Sequence, residues 1–151
     1  MEEHVKKWNQ LMTTKLQPQL NFLEKSLTEV ENDIGEYVEL GHILESLLAR
    51  NNPSGPIEAK VENPKGSGNY ISAIIHDTST IYVDLGQSQP TKLPLEDAEK
   101  AVKLYVQNLE KKKEGIVQDL DKLNKDIFTG MATIHQLQQL EESNIAKITK
   151  K

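Results

Sequence analysis

Two stretches of this chain, residues 3–50 and 95–148, space their apolar residues by alternating steps of four and three. On an α-helix that spacing draws one narrow apolar stripe, the seam of a coiled coil. Such a stripe needs a second helix to keep it from water. Two stripes of similar length on one chain supply each other by folding back. The pattern therefore predicts a rod-like antiparallel helical hairpin with a small β-rich body at one end. It does not predict a globule around a pocket.

The first seam runs Leu16, Leu20, Leu23, Leu27, Val30, Ile34, Tyr37, Gly41, Leu44, Leu48. Glu24, Lys25, Glu29, Glu31, Asp33, Glu36 and Glu39 fall between these positions and form a solvated face. Upstream, Val5, Trp8, Met12 and Leu16 step by three, four and four, so the phase slips as at a stutter. Pro18 lies beside the slip and predicts a bend or a local break. Gly41 sits on the seam without a side chain, at a helix cost of about 1 kcal/mol relative to Ala. It marks either a tolerated irregularity or a close approach of the partner helix. The breaker cluster Asn51-Asn52-Pro53-Ser54-Gly55-Pro56 ends the helix near Ala49–Arg50.

The connector, residues 51–94, carries the strand signals. Ile57–Asn63 alternates, with Ile57, Ala59 and Val61 on one face. Pro64–Asn69 is a turn, and Tyr70–Ile75 is β-branched and aromatic. His76–Ser79 turns again. Thr80–Leu85 sets Ile81, Val83 and Leu85 on one side, Gly86–Pro90 turns, and Thr91–Leu93 is a short fourth strand. These read as two linked β-hairpins. A lone hairpin is marginal in water, so these need the helix ends or neighbouring chains as cover. Pro94, placed in the first helical turn, then opens the second arm ahead of Glu96, Asp97 and Glu99.

The second seam runs Leu95, Ala98, Val102, Tyr105, Leu109, adjusts phase across Lys111-Lys112-Lys113, and resumes as Ile116, Leu120, Leu123, Ile127, Gly130, Ile134, Leu137. It weakens to Glu141 and Asn144, although Leu140, Ile145 and Ile148 stay apolar. If Arg50 and Leu95 lie level, facing residues have numbers summing to about 145, which sets Trp8 toward Leu137. The fold class is α+β, mainly α, in one domain over residues 1–151.

Composition narrows function. Net charge is −5, so non-specific nucleic-acid binding, which needs clustered cations, is disfavoured. There is no cysteine, which removes disulfides, thiolate metal sites and thiol nucleophiles. No membrane span or signal-peptide core is legible, and a soluble intracellular protein is the expectation. His4, His42, His76 and His135 are scattered, with no helical metal spacing among them. Lys65-Gly66-Ser67-Gly68 lacks the phosphate-loop spacing and precedes a strand. No nucleophile motif accompanies His76-Asp77. Neither an enzyme nor a cofactor or metal site is expected.

Helix, two β-hairpins, helix resembles the α-class prefoldin subunit over nearly the whole chain; β-class subunits have one hairpin. The match is strongest at Asp77-Thr78-Ser79-Thr80-Ile81-Tyr82-Val83-Asp84-Leu85-Gly86 and continues through Leu93-Pro94-Leu95-Glu96-Asp97-Ala98. The first run is most similar to the ubiquitously-expressed-transcript (UXT) type, while Gln87-Ser88-Gln89-Pro90 departs from the glycine and aromatic common there. The resemblance implies a heterohexamer with β-class prefoldin subunits and a second α-class subunit, a β-barrel body and six coiled-coil tentacles. It implies a chaperone that holds unfolded clients of the actin and tubulin class at its tips and passes them to the cytosolic chaperonin. A UXT-type chain is implied to be a scaffold subunit in assembly of large complexes and in transcriptional regulation. The implied location is cytoplasmic, with a nuclear pool open, and no direct nucleic-acid or membrane contact is expected.

Candidate assembly residues are Ile57, Ala59, Val61, Tyr70, Ile81, Tyr82, Val83 and Leu85. Candidate residues for client or partner contact at the tips are Trp8, Leu11, Met12, Leu140, Ile145 and Ile148. The tip residues have two readings, capture of other chains or simple closure of the rod's end. A plain structural coiled coil is the weaker alternative, because a mere linker needs no buried strand face.

Overall fold

The computed structural model describes residues 2–62, 66, 68–87 and 89–150. In chain order they form α1 (Glu2–Leu11), a π-helical turn (Met12–Leu16), α2 (Gln17–Leu48), β1 (Ile57–Glu62), β2 (Tyr70–Ile75), β3 (Thr80–Val83), β4 (Thr91–Pro94) and α3 (Leu95–Thr149). Contacts divide the chain into two compact units, Asp33–Glu110 and Met1–Asn32 with Lys111–Lys151.

In the unit Asp33–Glu110, the end of α2 and the start of α3 bury Leu44, Leu95, Ala98 and Val102, and Val83 of β3 joins them. Tyr37, Leu40, Leu47, Leu48, Ile81, Leu85, Leu93 and Val106 pack around this cluster. Each fully buried Leu or Val contributes about 1.5–3 kcal/mol. The strands form two separate antiparallel hairpins. In β1–β2, Ile57 faces Ile75, Ala59 faces Ala73 and Glu62 faces Tyr70. In β3–β4, Ile81 faces Leu93 and Val83 faces Thr91, so these four lie on the side that meets the helices. Outside, Lys92 reaches over the Tyr82 ring at 6.0 Å.

In the other unit, Leu23, Leu120 and Leu123 form the core, flanked by Leu16, Leu20, Leu27, Ile116 and Ile127. Leu23 with Leu120 fits antiparallel helices at the expected residue sum. Every seam position named above from Leu16 to Leu48 and from Leu95 to Leu137 is buried or half-buried, and Glu141 and Asn144 are exposed. The expected phase adjustment in α3 does not occur. Lys113, half-buried, takes the seam place between Leu109 and Ile116 and meets Glu31 at 3.6 Å. Its aliphatic stem follows the stripe while its ammonium reaches the rim.

The slip near Pro18 becomes a widened turn, and the helix continues. Gln17 N–H donates to the Met12 carbonyl, one residue beyond α-helical reach. Pro18 has no N–H to give the preceding turn, and its ring crowds that turn's carbonyls. Thr13 and Thr14 add hydroxyl bonds to the Asn9 and Gln10 carbonyls at 2.8 and 2.6 Å, which loosen a helix further. Val5, Trp8 and Met12 remain turned inward across the insertion.

Some boundaries shift. β3 ends at Val83 and not Leu85, because the Asp84 carboxylate accepts the Gly86 N–H at 3.0 Å and begins a turn there. Gly86 has φ +82°, which favours glycine. Pro94 ends β4, and α3 starts at Leu95. Asn63, Pro64, Lys65 and Ser67 of the expected first strand and turn, and Ser88 of the third turn, lie outside the described residues.

Gly41 is buried, yet a methyl there would sit 3.8 Å from Val102 Cγ1, an ordinary contact. The irregularity is therefore tolerated, and no close approach demands glycine. Gly41→Ala is expected to raise stability by about 1 kcal/mol from helix propensity, read as a higher urea midpoint with unchanged slope.

Candidate assembly and capture surfaces

The first surface is built on the strands. A breaker-rich loop delivers the chain from α2 to β1, and its carbonyls need donors. The buried Thr78 provides them: its hydroxyl points at the carbonyls of Pro53 and Gly55, the latter at 3.0 Å, and its N–H at that of Ser54, at 3.4 Å. Arg50 completes the loop by donating to the Pro56 carbonyl at 2.9 Å. Asp77 turns the chain by accepting the Ser79 N–H at 2.9 Å, and the Ser79 hydroxyl, then this backbone bond, hold its carboxyl below the usual carboxylate range. β1–β2 is thereby tied at its base to the end of α2.

A second tie fixes β3. The Tyr37 hydroxyl donates to the Asp84 carbonyl, and the Tyr37 and Tyr105 rings lie 4.6 Å apart at 59°. Burial, then the neighbouring Tyr105 and Asp84, pushes the Tyr37 phenol above its ordinary value. Across the same helix pair Lys103 bridges Glu99 at 2.7 Å and Glu45 at 3.3 Å, and these carboxylates raise its ammonium.

These ties sort the candidate assembly residues. Ile81, Val83 and Leu85 pack into the chain's own core, where Val83 is only 2% exposed. They are covered by the helix ends, not left for a neighbour. Tyr82 points outward. On β1, Ile57 and Ala59 are half-buried and Val61 is exposed. β2 is open on both sides: Tyr70 and Ile74 share one face at 63% and 64% exposure, Ile71 and Ile75 the other at 60% and 43%. A natural hairpin with apolar residues on both faces calls for partners on both.

The second surface lies on the helices of the other unit. Trp8 and Leu11 share a shallow groove of about 370 Å³ with His4, Lys7, Gly130, Thr133, Ile134 and Leu137. The Trp8 ring lies directly on Gly130, and Leu137 lines the same groove. Met12 is half-buried on the seam. Leu140, Ile145 and Ile148 are exposed and are not drawn into this groove. Phe22, Phe128 and Met131 are also exposed in this unit, a feature that reading only the seam positions passes over. Among the described residues no cluster of three or more His, Asp or Glu could hold a metal, and no helix is long and apolar enough to cross a membrane.

The prefoldin subunit family model matches residues 16–140. The chain belongs to the prefoldin family. Among solved structures it is similar to filamentous PFD from Methanocaldococcus jannaschii, with a TM-score of 0.58, 18% identity, and coverage of 88% of this chain and 99% of that one. At that identity the likeness shows the prefoldin fold: long helices with two small antiparallel sheets. No curated protein matches the chain in sequence.

Thr78, Arg50 and the Tyr37–Asp84 tie escaped the sequence reading. The usable signal was the run of breakers at residues 51–56, whose carbonyls had to find donors somewhere. Thr78→Val keeps the shape and removes the donor. It is expected to cost about 1–3 kcal/mol for stranded carbonyls, while Thr78→Ser keeps most of the stability, both read by thermal denaturation. Val83→Asp would bury a charge in the chain's own core. It should unfold the Asp33–Glu110 unit, seen as loss of amide-exchange protection there.

Proposed function

We propose that this prefoldin subunit is a non-enzymatic chaperone component. In this reading it assembles through its hairpins with β-class subunits and a second α-class subunit. It holds unfolded chains at the helix tips without ATP and passes them to the cytosolic chaperonin. Actin- and tubulin-class proteins are the client class, and the cytoplasm is the working compartment. The observation that carries the reading is the uncovered β1–β2 hairpin. Tyr70, Ile71, Ile74, Ile75 and Val61 stay in water on a chain whose other strands are tucked against helices. Such a surface is built for other chains. The second hairpin, β3–β4, supports the α-class position.

A second reading has one observation in its favour, the Asp77–Gly86 run and its likeness to the UXT type. In that reading the chain is a scaffold subunit of a prefoldin-like complex, with dedicated partners at the tips and a nuclear pool.

Affinity capture of the full chain from its own cells, followed by native mass spectrometry, tests both. A hexamer with four β-class chains supports the assembly, and the identity of the second α-class chain separates the two readings. A homo-oligomer or a free monomer would overturn it. Ile71→Asp with Ile74→Asp is expected to abolish the hexamer while leaving the helical circular dichroism and melting temperature of the subunit near wild type, since neither side chain is in the core.

A further inference from the structure

The Trp8–Gly130 contact in the unit Met1–Asn32 with Lys111–Lys151 carries an inference about how the tip is kept. Glycine is the poorest helix former after proline, yet α3 carries it at 115 and 130. Around Gly115 a methyl would meet open space. At Gly130 a methyl would overlap the Trp8 ring at three of its carbons. The indole therefore lies on bare helix backbone, in a notch that only glycine leaves. The π-helical turn at Met12–Leu16 keeps Trp8 on the inward side of α1 despite the slip in spacing. The groove around this contact is shallow. It is apolar at Leu11, Ile134 and Leu137 and polar at its rim, with His4, Lys7 and Thr133. Trp8 remains half-buried. The ring is seated against Gly130 on one side and stays half-buried, so contact area is what holds it.

We propose that Trp8 is an exchangeable plug: it occupies the Gly130 notch when the tip is empty and gives it up to an aromatic or large aliphatic side chain of an unfolded protein. The plug rests on the capture reading above and adds its regulation. A tip that carried a bare notch would expose an apolar socket to water and to other copies. A tip that fills its own socket presents less apolar surface until a competing side chain arrives. Burial is non-directional, so an incoming side chain of similar area replaces the indole with little net change, and Trp8 then turns to solvent or onto the client.

Trp8 is the chain's only tryptophan, so its emission reports the notch directly. The probe is reduced insulin B chain, which lacks tryptophan and aggregates measurably. For the wild-type full chain, the expected emission is blue-shifted and protected from acrylamide. Adding B chain should red-shift it and remove the protection at the concentrations that suppress aggregation. Gly130→Ala should release Trp8 with no B chain present and, because its methyl also closes the notch to the client, raise the half-suppressing concentration. Gly115→Ala, made in the same helix where space is open, should change neither. Wild-type emission already fully quenchable would overturn the seated plug. Release of Trp8 in Gly130→Ala with unchanged suppression would overturn the exchange and leave capture standing. Suppression by neither chain, with Trp8 released in the variant, would sink capture and plug together. A folding defect is checked by circular dichroism, and Trp8→Phe, which leaves the notch open and fills it with a smaller ring that is easier to displace, should suppress at a lower concentration than wild type.

Discussion

Leu44 against Val102, and Leu23 against Leu120 and Leu123, are contacts of one kind, in which a stripe of side chains on one helix fills the stripe on another. Every other feature leans on them. The stripe is narrow, so each residue on it carries a large share of the stability and most of each helix is left to water. That is how a chain with 36% apolar residues can fold with long stretches of exposed charge. In the unit Asp33–Glu110 the same stripe is widened by one element, the inner face of β3–β4. Ile81, Val83 and Leu93 extend the helix contact into a small core.

The seams were legible because burial on a helix leaves a numerical trace. Every position from Leu16 to Leu48 and from Leu95 to Leu137 named by spacing alone is turned inward. The strands were legible within a residue or two for the related reason that alternation marks a one-sided sheet, and the pairing of β1 with β2 and β3 with β4 followed from their order. What spacing could not tell was which hairpin the helices would cover. Ile57, Ala59 and Val61 alternate as cleanly as Ile81, Val83 and Leu85, yet only the second set is packed into the core. The difference lies in Tyr37 and Thr78, single polar side chains that fix the chain's path through long-range hydrogen bonds. Such bonds have no period and leave no pattern. Lys113 misled for the opposite reason. It occupies a seam position with the wrong chemistry, and its neighbour Glu31, far away in sequence, makes that acceptable.

At the tip, the candidate residues divided in the structure. Trp8 and Leu11 share a groove with Gly130 and Leu137, whereas Leu140, Ile145 and Ile148 stand apart in solvent. The spacing had marked Gly130 only as a weak link in α3. Its meaning comes from the ring that lies on it, and the π-helical turn decides that the ring arrives there. These particular residues define the apolar surface that this part of the chain presents.

The hairpin β1–β2 has a consequence for the economy of the cell. Its two oily faces, with Ile71 on one and Ile74 on the other, cannot be hidden by any motion of the hairpin itself, because turning one inward turns the other out. A copy without companions therefore stays adhesive for as long as it remains single, and its solubility becomes a matter of stoichiometry rather than of sequence alone. Synthesis in excess of its companions would create sticky orphans, so the hairpin ties the tolerable amount of this chain to the supply of the chains that cover it.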